Sequence, residues 1–253
     1  MSRFRAGVQL QPQATSMADL LDAARAAEDL GADSVWTWDH FYPLYGDPGA
    51  THFEGYTLLA AMAAVTRRVQ LGALVTCNSY RNPNLLADMA RTIDHVAGGR
   101  FVLGIGSGWF ERDYAEYGYD FGTARGRLAD LERDLPVIVS RVAALNPPPV
   151  GDLPILIGGS GRKVTLRLVA EHASMWNSFG PPENFAELNG VLDDWCDRVG
   201  RDPSEIERTV AINPGEVGDW QAYLDAGAQH LIIMSSDPFA LDALAELVEA
   251  ARG

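Results

Sequence analysis

The segment Gly158, Gly159, Ser160, Gly161 is the clearest place for chemistry in this chain. Glycines let a backbone approach a ligand closely, and here they lead into a helical stretch through Val164 and Leu168, so free N–H groups gather at a helix N-terminus and attract a phosphate. Arg162 and Lys163 follow and add positive charge; the alternative is a plain glycine-rich turn. Asp39 and His40 form a second candidate. A carboxylate accepts hydrogen bonds from a polar ring, and an imidazole exchanges protons near neutral pH. The competing possibility is an aspartate that caps a loop with a histidine packed beneath it. Trp38, Phe41, Tyr42, Tyr45, Trp109 and Tyr114 sit in loop segments and suit a flat ring ligand, although loop packing accounts equally well for part of the set. Ser107 in Gly106-Ser107-Gly108 is not a nucleophile elbow, because no Asp and His partners follow in a consistent order. His95 and His172 fall at helix C-termini and His230 opens a strand; all three read as structural. No His, Cys and carboxylate set has metal-ligand spacing, so no metal is expected.

These residues need elements to position them, and the chain reads as strand and helix in alternation. The expected strands are Ala6 to Leu10, Ser34 to Thr37, Val69 to Thr76, Phe101 to Ile105, Ile155 to Ile157, Met175 to Asn177, Thr209 to Ile212 and His230 to Met234. Helix signals lie between them: Ser16 with Asp19 as a capping-box-like pair, Gly31 as a stop, Asn82 with Pro83 at a helix start, and Asp237 as the cap of a last helix from Pro238. The fourth helix is long, with Leu128, Leu131, Leu135, Ile138, Val142 and Leu145 on one face. Eight such units in 253 residues predict a single (β/α)8 barrel domain spanning 1–253, in preference to an open doubly wound sheet. In a barrel the strand C-termini and following loops form the active site. Asp39, His40, Thr76, Cys77, Asn78, Ser107, Trp109, Ser160, Trp176, Asn177 and Asn213 are then expected to ring one mouth.

Composition bounds the partners. Apolar residues are 47% of the chain, enough for a large core, yet no run has the length of a transmembrane helix. The formal charge is −14 and Lys163 is the only lysine, so there is no basic footprint for nucleic acid, and an anionic ligand needs a local site. Cys77 and Cys196 are far apart and read as free thiols in a reducing cytoplasm. The first residues, Met1, Ser2, Arg3 and onward, lack the apolar stretch of a signal peptide.

Several stretches resemble the luciferase-like monooxygenase superfamily, and within it the actinobacterial branch of coenzyme F420-dependent oxidoreductases. They are AAEDLGADSVWTWDHF, EGYTLLAAMAAVT, VQLGALVTCNSYRNPNLLADMARTIDHVAGGRFVLGIGSGW, PILIGGSGRKVTLRLVAEHASMWN and VGRDPSEIERTV. The resemblance implies a barrel with the deazaflavin across its mouth. It implies a non-prolyl cis peptide in the third strand at Ala73 and Leu74, Asp39 near the polar edge of the ring, and His40 as proton donor. Cofactor contacts are implied for Thr76, Ser107, Trp176 and Asn177, a phosphate turn for Gly158, Gly159, Ser160 and Gly161, and a substrate pocket that includes Trp38, Phe41, Glu54 and Trp109. A small organic substrate and a homodimer are implied as partners. Two departures stand out: residues Asn146 to Asp152 replace a longer segment between the fourth helix and fifth strand, a change expected to open the pocket or alter a dimer contact. Trp109 lies where certain relatives carry an acid, with Glu111 and Glu54 as nearby substitutes. The leading expectation is hydride transfer at C5 of F420. The alternatives are an FMN-dependent monooxygenase, a non-redox phosphate-binding barrel, and a cofactor-binding protein without turnover.

Overall fold

Strands covered on both faces must carry apolar side chains in both directions, and the strand segments of this chain do so. The computed structural model describes residues 4–253; Met1, Ser2 and Arg3, where the signal-peptide expectation begins, lie outside the described residues. The strands are β1 (Arg5–Leu10), β2 (Ser34–Thr37), β3 (Gln70–Ala73), β4 (Thr76–Cys77), β5 (Phe101–Gly106), β6 (Ile155–Gly158), β7 (Met175–Phe179), β8 (Glu207–Ile212) and β9 (His230–Ser235). All pair in parallel, in the order β3-β2-β1-β9-β8-β7-β6-β5-β4. The ring closes where β5 pairs with β3 at Leu71 and Phe101 and with β4 at Thr76 and Ile105. β3 and β4 are thus halves of one interrupted strand, and the sheet is an eight-stranded TIM barrel.

Alternation along the strands makes two cores. Trp36, Leu74, Val102, Leu156, Met175, Ala211 and Ile232 fill the barrel. Their neighbours, such as Val8, Val35, Leu103 and Ile233, pack outward against the helices. Those helices are α1 (Met17–Leu30), α2 (Gly55–Val65), α3 (Pro83–Ala97), α4 (Glu111–Tyr117), α5 (Ala124–Ala144), α6 (Thr165–His172), α7 (Pro182–Val199), α8 (Trp220–Asp225) and α9 (Asp242–Arg252). The expected caps are present: Ser16 accepts from the Asp19 N–H, Gly31 ends α1 at φ 95°, and Asn82 with Pro83 opens α3. No described helix is long and apolar enough to cross a membrane. Cys77 and Cys196 are buried free thiols.

Four local expectations are corrected. The cis bond is Leu74–Val75, one residue beyond Ala73–Leu74. The ladder with β2 extends through Ala73, and the Leu74 N–H still donates to Thr37 O at 2.7 Å, so the chain leaves the ladder only after that bond. The last helix starts at Asp242, because a turn closed by Phe239 N–H on Ser236 O follows β9. Asp237 instead accepts from the Thr15 hydroxyl at 3.0 Å. The stretch after α5 that the resemblance implies is shortened lies at the strand N-terminal end: Asp94 takes the N–H groups of Val150 (2.8 Å), Gly151 (3.0 Å) and Phe101 (3.3 Å). It therefore does not open the mouth.

At Gly104 a Cβ would stand 2.0 Å from the carbonyl oxygen of Ala73, a backbone atom beside the break in the third strand. Gly104→Ala is expected to destabilise the barrel by more than about 2 kcal/mol, read as a lowered urea midpoint with unchanged slope.

Candidate functional site

The break between β3 and β4 shapes the floor of a cavity of about 390 Å³ at the strand C-termini. Val75 occupies the space that side chains at 106 and 158 would need, since a Cβ on Gly106 or Gly158 would come within 2.8 Å of its methyl groups. The Gln9 amide, from β1, donates to Leu74 O at 2.8 Å and ties this floor across the barrel. Trp38, Asp39, His40, Leu74, Thr76, Ser107, Trp109, Gly158, Gly159 and Asn177 all line the cavity, as the sequence suggested. Gln9, Gln11, Phe179 and Met234 also line it and were not anticipated.

Other candidates lie elsewhere. Trp176 is fully buried, stacks on Phe185 and donates to Gly159 O at 2.9 Å. Its neighbours Met175 and Asn177 face inward, so alternation turns Trp176 toward the helices. Ala73 likewise belongs to the outer core. Phe41 stacks on Tyr117 at 3.9 Å and packs on Tyr80, in an aromatic cluster beside the cavity. Glu54 caps α2, accepting from the Tyr56 and Thr57 N–H groups, and pairs with Arg81 at 2.6 Å. Burial would raise its carboxyl, but those hydrogen bonds and the arginine outweigh burial and hold it below the usual range. Ser160 and Gly161 are exposed on the turn beyond the cavity wall.

His40 is the one histidine lining the cavity, and its Nδ1 lies 2.7 Å from Oδ2 of Asp113. Asp113, on α4, is fully buried and also accepts from Tyr80 OH at 3.0 Å and the Phe41 N–H at 3.2 Å. A carboxylate only accepts, so the proton of the imidazole resides on Nδ1 and Nε2 remains free for a ligand. Glu111 is exposed at the start of α4 and is not the acid of the site. Asp113 was missed because α4 is short and the long apolar periodicity of α5 dominates that stretch. The rings of Trp38, Trp109 and Phe110 stand edge-on around His40, at 6.1, 5.8 and 5.5 Å.

Asp39 is the second fully buried carboxylate at the mouth. Arg81 grips it through two nitrogens, at 2.7 and 2.9 Å, and the Cys77 N–H donates to it at 3.0 Å. The guanidinium also lies 4.2 Å from the centre of the Tyr56 ring, whose hydroxyl meets Thr76 Oγ1 at 2.8 Å. Burial works against the Arg81 charge, but Asp39 more than compensates and raises its pKa. Arg81 was overlooked, although its place just after the third strand is a mouth position. Burial pushes the Cys77 thiol and the Tyr80 and Tyr114 phenols up. His230 sits at the opposite end of the barrel, 2.8 Å from Ser34 Oγ and 3.2 Å from Glu207, a structural role.

At the glycine turn, the Gly159 N–H is spent on Asn177 O, but those of Ser160 and Gly161 meet no acceptor among the described residues. Trp195 pins the turn by donating to Arg162 O at 2.7 Å. Arg162 pairs with Glu187 at 2.7 Å. Lys163 has no ion-pair partner among the described residues and stays exposed beside the open N–H groups.

The fold and site thus combine a parallel barrel, an apolar mouth, a buried Asp–His pair and an open glycine turn. The chain belongs to the luciferase-like monooxygenase family, which matches residues 1–215. It is similar to an F420-dependent glucose-6-phosphate dehydrogenase of Amycolatopsis mediterranei, with 34% identity over 47% of this chain and 36% of that one. It is also similar to 4-hydroxyprotoasukamycin monooxygenase of Streptomyces nodosus subsp. asukaensis, with 26% identity over 81% of this chain and 57% of that one. The chain thus spans between about a third and three-fifths of these curated relatives. Among solved structures, an F420-dependent secondary alcohol dehydrogenase with an F420-acetone adduct superposes with a TM-score of 0.86 at 17% identity, covering 98% of this chain and 100% of that chain.

Two outcomes follow from the site. Arg81→Met is expected to cost about 3–5 kcal/mol in a denaturant titration, because it strands Asp39 as a buried charge. Trp38 Nε1 donates to His52 Nε2 at 2.9 Å, and burial, with repulsion from His40, pushes the His52 imidazole down to about 4. The folded state prefers this ring neutral, so its contribution is complete above the ordinary value of 6.5 and is lost as pH falls toward about 4. Ring NMR signals of His52 are expected to stay flat through neutral pH and move only near pH 4, where Trp38 loses its acceptor. Titration near 6.5 would contradict this.

Proposed function

We propose that the chain is an F420-dependent oxidoreductase that transfers a hydride between the deazaflavin C5 and an organic substrate, with His40 handling the accompanying proton. The observation that carries this reading is the His40–Asp113 pair opening onto an apolar cavity in a luciferase-like barrel. Support also comes from the relatives and the solved neighbour whose names state F420 dependence.

The residues fit such a coenzyme. Val75, set into the space left by Gly106 and Gly158, gives a flat apolar floor, and Asn177, Thr76 and Ser107 supply polar edges around it. The Ser160 and Gly161 N–H groups with Lys163 suit its phosphate. When bound, F420 supplies a carbon that accepts or gives a hydride. Nε2 of His40 would take the proton from a substrate hydroxyl, or return it to a carbonyl, while Asp113 holds the ring in the required tautomer. Trp38 and Phe110 pack edge-on against the imidazole and support its position.

An FMN-dependent monooxygenase is the second reading, supported by the monooxygenase relative that matches 81% of this chain. The discriminating experiment is titration of purified protein with F420 and with FMN. Tighter F420 binding is expected, and tight FMN binding with none of F420 would overturn the proposal. In F420 reduction by any alcohol that supports it, His40→Ala is expected to lower kcat by about 10²–10⁴. Asp113→Asn should lower kcat by about tenfold or more, with F420 affinity changing by less than about threefold in both variants.

A further inference from the structure

Resting on the F420 reading, we infer that the substrate of this site is an uncharged alcohol or carbonyl compound with an apolar, ring-sized body, and that sugar phosphates are excluded. The wall of the cavity contains no lysine or arginine. Its one carboxylate, Asp39, has both oxygens taken by Arg81. The other arginines around the mouth are committed elsewhere. Arg127 donates to Gly108 O and Phe121 O, and Arg112 lies on the Tyr42 ring and donates to Pro48 O. Lys163 stands at the glycine turn, beyond the cavity wall.

A phosphate or carboxylate brought against this wall would lose hydration with no cation to replace it. The formal charge of −14 adds an opposing field. Aromatic surface takes the place of charge. Tyr45, Trp109 and Phe179 are among the most exposed large apolar residues of the protein, at 63%, 62% and 57%, and all three line this one mouth. They come from three different loops or strand ends, so they surround the opening instead of forming a single patch. A substrate that reaches Nε2 of His40 must lie against Trp109, whose ring is 5.8 Å from the imidazole. Trp109 is therefore a specificity-determining residue. The A. mediterranei relative is named for a sugar phosphate, so this chain is inferred to differ from it in substrate.

The probes are cyclohexanone, cyclohexanol and glucose 6-phosphate. Tryptophan fluorescence is followed as each is added to the protein, with and without F420, and F420 reduction is followed with the two hydroxyl compounds. Saturable quenching by cyclohexanone is expected, with none by glucose 6-phosphate up to on the order of 10 mM. Cyclohexanol should reduce F420 at least about 100-fold more efficiently than the sugar phosphate. Trp109→Ala, an exposed position that leaves the core intact, should raise KM for cyclohexanol about tenfold and change kcat by less than about threefold. Tighter binding of glucose 6-phosphate than of cyclohexanone overturns the inference, as does the absence of saturable binding by the neutral ring. Because the titration is repeated without coenzyme, a failure to bind F420 overturns the redox reading separately from the ligand class.

Discussion

Two carboxylates, Asp39 and Asp113, are fully buried at the mouth of this barrel, and the arrangement around them follows from keeping them satisfied. An ionised carboxylate removed from water without partners costs several kcal/mol. Asp39 recruits Arg81 and the Cys77 N–H; Asp113 recruits His40, Tyr80 and the Phe41 N–H. The two acids and their partners come from β4, from the loops after β2 and β4, and from the short helix after β5. The two acids therefore cross-link three loops that would otherwise move independently, and they do so within reach of the single histidine that faces the cavity.

The floor obeys a steric constraint. The third strand breaks at Leu74–Val75, Val75 turns into the barrel, and the strands on its far side must be glycine where they face it. Gly106 and Gly158 are thus explained by the break. Gly158 also leads directly into the turn whose Ser160 and Gly161 N–H groups stay open, so one short glycine run serves both the floor and the open turn. The consequence is a flat apolar base with a polar rim at one side and an aromatic rim elsewhere, which suits a planar coenzyme with an apolar substrate above it.

The segment between α5 and β6 lies at the far end of the barrel, where Asp94 gathers its Val150 and Gly151 N–H groups. At the cavity end, the loops after β2 and β5 supply Tyr45 and Trp109.

Alternating apolar strands, helix caps at Ser16 and Asn82, and the stop at Gly31 are local signals, so the eight-fold repeat and the barrel were legible in the sequence. So were Asp39, His40 and the glycine turn, because strand ends define the mouth once the barrel is granted. What stayed hidden depends on which groups meet across space. Asp113 lies 73 residues from His40 and Arg81 lies 42 from Asp39, and no periodicity links such pairs. Side-chain direction was hidden in the same way: Trp176 and Asn177 are neighbours in sequence, yet strand alternation sends one to the helices and the other to the cavity. Local sequence determined the elements and the end at which chemistry occurs; tertiary packing decided which polar side chains face one another, because burial makes each charge seek a partner wherever the fold brings one.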